Sequence, residues 1–208
     1  MVELRSTDAQ GETIPMVLIP RLAREGLFGP PNQYLIREAD VVPLKTLFEQ
    51  LGAATDAPLV PTLIRWFHKA VEDSALPADA VINLIVALEA LFLDGDYKKA
   101  VTLAERGAVF LGIDGPTREK HFVNLHALYR ARNKVLHEGN EYPTVQLTTG
   151  REITIVELQE YGFAYVRDAL RKMLEAPGQI KAELLSALKE RVKPLRTELG
   201  RYRTTYFA

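Results

Sequence analysis

Arg132, Asn133 and His137 lie close together in the segment Leu128-Tyr-Arg-Ala-Arg-Asn-Lys-Val-Leu-His-Glu-Gly139, and their side chains suit chemistry on an anion. A guanidinium keeps its charge and presents a planar fork of donors that matches a phosphate. An imidazole changes charge near neutrality, so it can take or give a proton. Asn133 precedes His137 by four residues, about 40° around a helix, close enough for the amide to hold one imidazole tautomer. Arg132 and His137 are five apart, about 140° on a straight helix, and converge only if the arginine wraps round or the helix unwinds before Gly139.

Position 132 is odd in a second way. Phe122, Leu125, Leu128, Tyr129, Val135 and Leu136 recur at spacings of three and four, and Arg132 falls in that apolar series. A charge there needs a partner or a purpose. Glu89 is the matching oddity, the sole polar residue from Leu84 to Leu93. Arg106, beside a stripe of small residues, could join the two. One reading is a structural ion pair that fixes helix register, where removing one partner costs about 3–5 kcal/mol. The other is a site poised on the surface of the helices. His137 has a plain reading too, as a helix-terminal cation stabilised by about 0.3–1 kcal/mol.

The remaining templates for chemistry fail. His121 and His126 miss the i, i+4 spacing of helical metal ligands, so no metal site is expected. No glycine-rich loop joins a strand to a helix for phosphate binding, and no serine sits in a nucleophile elbow. No cysteine is present, which excludes a disulfide framework, a thiolate zinc site and a cysteine nucleophile. The aromatic residues are spaced as core.

The elements that must carry these residues are helical. Residues 1 to 56 are the least regular: a short edge strand within Thr13–Pro20, a turn at Gly29–Asn32, an extended piece from Gln33 to Glu38, and a helix over Val42–Leu51 before a linker at Gly52–Pro58. Helices are then predicted over Thr62–Ser74 and Ala78–Leu93, the second apolar nearly all round and so central. The next, Tyr97–Leu111, carries Ala100, Ala104, Gly107 and Ala108 on a stripe that lets another helix approach closely. Pro116 opens the helix that holds Arg132, and Gly139 suits its left-handed close. Asn140–Arg151 reads as a polar excursion, with a short hairpin one option. Helices follow over Ile155–Glu175 and Ile180–Val192, and then a basic end, where Lys189–Arg203 holds six Lys or Arg against Glu190 and Glu198.

The 208 residues are 47% hydrophobic, enough for a real core, and no apolar run is long enough to span a membrane. The start lacks a signal-peptide apolar region, so a soluble cytoplasmic protein is expected. A formal charge of −1 argues against a positive coat for indiscriminate nucleic-acid binding, which leaves a local patch to meet such a partner.

Tyr129-Arg-Ala-Arg132-Asn133-Lys-Val-Leu-His137-Glu-Gly resembles the signature of HEPN domains, an Arg followed by a polar residue and then a His after four to six intervening residues. Ala87-Leu-Glu89-Ala-Leu-Phe and Tyr97-Lys-Lys-Ala-Val-Thr-Leu-Ala-Glu-Arg106 resemble the two preceding helices of the Apea-like branch, in the same order. The resemblance covers about 59–139, extending to 175. It implies an antiparallel helical bundle acting as a homodimer, and a metal-independent endoribonuclease that needs no cofactor. On it, His137 is general base or acid and Arg132 neutralises the phosphorane. Asn133 positions His137 or the phosphate, Glu89 holds Arg132 with Arg106 in support, and Arg130 and Lys134 contact RNA. An antitoxin or phage-defence partner fits such a protein. The alternative is a non-catalytic module of the same kind that binds RNA, a nucleotide or a protein.

The expected architecture is therefore mainly α: a mixed extension over 1–56, a helical bundle over 57–176, and a basic helix and tail over 177–208.

Overall fold

The computed structural model describes residues 4–7, 13–16, 38–54, 59–138, 143–147, 150–176 and 179–207. The chain divides into two compact units, 1–44 and 45–208. In the first, β1 (Leu4–Thr7) pairs antiparallel with β2 (Thr13–Met16), Leu4 opposite Met16 and Thr7 opposite Thr13. A sheet of two strands has only edges, which is where Pro15 is tolerated. The expected turn at 29–32 and extended piece at 33–37 lie outside the described residues. Glu38 begins α1 (Glu38–Ala53), which runs across the boundary of the two units.

The second unit is built from α2 (Leu59–Glu72), α3 (Pro77–Phe92), α4 (Lys99–Leu111), α5 (Gly115–Glu138), β3 (Thr144–Gln146), β4 (Glu152–Thr154), α6 (Ile155–Glu175), α7 (Lys181–Val192), a 3-10 turn at Lys193–Leu195, and α8 (Arg196–Phe207). The protein is mainly α, a helical bundle with small antiparallel ribbons, as the periodicity predicts. Helix starts follow local chemistry. Pro77 sits at the first positions of α3, where its missing N–H costs nothing. Asp114 accepts from the Thr117 N–H at 2.8 Å ahead of α5. Thr154 and Glu157 form a reciprocal capping box at α6.

α3 and α5 are the inner helices. Leu84, Ile85, Leu88 and Leu91 of α3 are fully buried, and so are Phe122, Leu125 and Leu128 of α5. The small-residue stripe of α4 lies on α5: a Cβ at Gly107 would stand 2.5 Å from Leu125 Cδ1. On the other side of α5, a Cβ at Gly162 of α6 would stand 3.5 Å from Leu128 and 2.9 Å from Leu84.

The C-terminal residues, expected as one basic helix and a tail, form two helices that share this core. Leu184, Leu188, Leu199 and Tyr202 are buried in it. Arg118 of α5 grips Glu198 of α8 through two bonds, at 2.7 and 3.0 Å, and the Tyr202 hydroxyl donates to Glu198 at 2.8 Å. Few apolar residues mark α8 in the sequence, because a polar clasp and one Leu–Tyr pair hold it.

Candidate functional site

α5 carries Arg130, Arg132, Asn133, Lys134 and His137, and its regular geometry sorts them. At about 100° per residue, Arg130, Asn133, Lys134 and His137 share an arc of roughly 100°, while Arg132 lies about 160° from Arg130. Arg130, Lys134 and His137 are exposed and Asn133 is half-buried.

Arg132 turns toward α3. Its Nη2 is 3.7 Å from Glu89 Oε2, with both side chains about one-fifth exposed. That separation is an ion pair without a hydrogen bond. Nη1 donates to Asn133 Oδ1 at 3.1 Å, and the guanidinium lies 5.7 Å from the Tyr129 ring centroid. Burial, then the adjoining Glu89 carboxylate, push the hydroxyl of buried Tyr129 up to about 12, against the opposing pull of Arg132. Glu89 Oε1 and Arg132 Nε are buried without a hydrogen-bond partner among the described residues. Glu89 thus faces Arg132 as the apolar stripes require, but the pair is loose and the fork only partly occupied.

Asn133 links the two sides of the helix. It accepts from Arg132 and stands on the arc of His137. His137 itself is exposed in the last turn of α5, and no hydrogen bond joins it to Arg132 or Asn133 among the described residues. The straight helix keeps Arg132 and His137 apart within one chain. The expected close at Gly139 lies outside the described residues.

Arg106 does not join this network. Its Nη1 donates to the Phe92 carbonyl at 2.5 Å and to Asp96 Oδ2 at 2.7 Å, and Nη2 donates to Asp96 Oδ1 at 2.9 Å. The reason is position. Arg106 stands over the turn that follows α3, where the last carbonyls of a helix need donors and favour a cation. Burial would raise the Asp96 carboxyl, but the bonds from Arg106 and from the Asp94 N–H outweigh it and hold it below the ordinary range. Asp94-Gly95-Asp96 reads as a turn in the sequence, and nothing in its spacing marks Asp96 as the acceptor.

Beside the exposed arc runs a groove of about 330 Å³. Arg130, Ala131 and Lys134 line one wall, and Val145, Gln146, Leu147 and Gly150 of the β3–β4 hairpin the other. The hairpin is fixed by Gly150 at φ +81°, by a Leu147 N–H bond to the Arg151 carbonyl at 2.8 Å, and by the buried side chains of Leu147 and Ile153. Under Arg130 lies His126, pushed down to about 4 by burial and then by the Arg130 charge, so it is neutral at pH 7. The sequence offers a short hairpin within Asn140–Arg151 as one option, but nothing in its spacing places that hairpin against Arg130 and Lys134.

A second polar cluster joins α5 to α6. Asn124 donates to the Tyr165 hydroxyl at 3.0 Å, and His121 Nδ1 lies 3.3 Å from the same oxygen. Burial above all raises Tyr165 to about 12 and lowers His121. Asn124 and Tyr165 are buried in the core, and the Tyr165 hydroxyl finds its partners in Asn124 and His121. A larger furrow of about 570 Å³ runs beside α2, over Leu51, Val60 and Ile64, far in sequence from α5. Among the described residues no group of three or more His, Asp or Glu is placed to hold a metal, and no helix is long and apolar enough to cross a membrane.

The chain matches no protein-family model, no curated protein and no solved structure.

Proposed function

We propose that this chain is a metal-independent endoribonuclease of the HEPN type, working in the cytoplasm on single-stranded RNA. The observation that carries the reading is the Arg132–Asn133 bond at 3.1 Å, which couples the half-buried guanidinium to the exposed arc of Arg130, Lys134 and His137. On this reading His137 takes the proton of a ribose 2′-hydroxyl as its oxygen attacks the adjacent phosphorus. The P–O5′ bond breaks, the departing 5′-oxygen collects a proton, and the ends are a 2′,3′-cyclic phosphate and a 5′-hydroxyl. Arg132, loosely held by Glu89, swings its fork to the phosphorane. Because a straight α5 separates Arg132 from His137, a homodimer with two such motifs along one cleft supplies the convergence. An antitoxin or phage-defence partner would keep such an activity in check.

The test is incubation of purified protein with total tRNA in EDTA and analysis of the cut ends. Wild type should leave cyclic phosphates, and His137→Ala should keep the fold and cut nothing. An unaltered rate in His137→Ala removes His137 from the mechanism.

One observation favours a second reading, a non-catalytic module. The Glu89–Tyr129–Arg132 network spans α3 and α5 beneath the surface, as a register-fixing device would. On that reading RNA is never cut, and Arg132→Ala mainly lowers the melting temperature.

A further inference from the structure

We propose that the groove between α5 and the β3–β4 hairpin is a subsite for one unpaired nucleotide of the RNA, its phosphate on Arg130 and Lys134 and its base against the free edge of β3. This deepens the ribonuclease reading and rests on it for the identity of the polymer.

Charge comes first. Among the described residues of the lining, the charged ones are Arg130 and Lys134, both cations. They stand one helical turn apart, about 6 Å along α5, so they track a backbone as a pair. Size comes second. A groove of about 330 Å³ holds one nucleotide, at the small end of ligand pockets of roughly 300–1,000 Å³, and no double helix.

The edge of β3 supplies the selectivity. Leu147 bonds to Arg151 and Pro143 to Ile155, in register with the Val145–Ile153 pair. In an antiparallel ladder, bonded and non-bonded pairs alternate. Thr144 and Gln146 are therefore the non-bonded positions, and their main-chain N–H and C=O groups face away from β4. The sheet has two strands, so among the described residues that edge is free, and Gln146 lines the groove. A donor and an acceptor on a fixed strand, with the Gln146 amide beside them, can read the polar edge of a base, as single-stranded RNA is read. Finally, His137 lies three residues beyond Lys134 on the same arc, about 4.5 Å along the helix. A nucleotide seated in the groove thus leaves its neighbouring phosphodiester beside the imidazole.

The experiment uses the full chain and ten-nucleotide homopolymers of 2′-O-methyl RNA, which cannot be cut by 2′-hydroxyl attack. Fluorescence anisotropy should report binding of single strands and none of the duplex. Arg130→Ala should weaken every homopolymer by a similar factor, about fivefold or more. Gln146→Pro deletes an N–H that the ladder does not use, at an edge position that accepts proline, and should erase a preference among homopolymers of about 5- to 100-fold. Photocrosslinking of wild-type protein to an oligomer carrying 4-thiouridine, mapped by mass spectrometry, needs no folded variant and should mark Gln146, Leu147 or Gly150. Crosslinks confined to other surfaces, or equal weakening of all homopolymers by Gln146→Pro, overturn the subsite while RNA cleavage by wild type leaves the ribonuclease standing. Crosslinks at the hairpin with no cleavage of unmodified RNA support the subsite and overturn the ribonuclease. No binding of any oligomer overturns the subsite.

Discussion

Two guanidiniums on neighbouring helices have opposite surroundings. Arg106 is buried, with both nitrogens of its fork bonded to Asp96 and one also to a helix-end carbonyl. Arg132 keeps a fifth of its side chain in solvent, stands 3.7 Å from its carboxylate, and leaves Nε without a partner among the described residues. Removing the carboxylate from a buried guanidinium is expensive, because the abandoned charge stays out of water. A loose, partly hydrated pair contributes little. Asp96→Ala should therefore cost about 3 kcal/mol, and Arg132→Met about 1 kcal/mol or less, in urea unfolding midpoints. A large loss for Arg132→Met would mean that it holds the bundle together and is not available to a ligand. In the sequence Arg132 interrupts an apolar stripe and Arg106 stands beside a small-residue one, and both could belong to a single network with Glu89. Only their neighbours in space separate them.

At the level of the helices, the α4–α5 seam depends on the absence of a side chain at Gly107. A Cβ there would stand 2.5 Å from Leu125 Cδ1 and 3.5 Å from the Phe92 ring, and both neighbours are fully buried. Gly107→Leu should lower stability by about 1–3 kcal/mol through overpacking, read from the urea midpoint, despite its better helix propensity. An unchanged midpoint would show that the seam yields. The small-residue stripe made this seam legible in the sequence. The far end of α4 was not legible: Lys172 of α6 and Arg191 of α7 donate to the Phe110 and Val109 carbonyls, at 2.6 and 2.7 Å. Those bonds span more than sixty positions, and a basic residue on a helix reads equally well as solvated.

Over the whole molecule, several buried titratable groups make stability depend on pH with a definite sign. His126 is lowered from 6.5 to about 4, so the unfolded chain binds the extra proton between those values. Its contribution is full above 6.5 and is lost as pH falls toward 4, on the order of 3 kcal/mol. His121, lowered chiefly by burial, acts in the same direction. Glu198, held down by Arg118, and Asp96 add stability that is full above the ordinary carboxylate range and lost as pH falls through their lowered folded values. Glu105, raised by burial against the pull of Arg203, works the other way. Urea midpoints measured from pH 7 down to 4 should fall for wild type, and His126→Gln should flatten much of the fall between 6.5 and 4. A flat wild-type profile there would mean that His126 is as solvated in the fold as out of it.

The order and phase of α2 to α7 were fixed by the chain alone, because apolar periodicity, proline positions and capping residues act within a few neighbours. The pairing of unusual charges on α3 and α5 was also written there, since Glu89 and Arg132 each interrupt an apolar stripe. Tertiary structure alone decided that Arg106 binds Asp96, that α8 closes on Arg118 and Tyr202, and that the hairpin supplies a wall to the groove beside Arg130. These outcomes depend on which side chains meet through space after distant segments have packed, and that distance is not encoded in the spacing of residues along a helix.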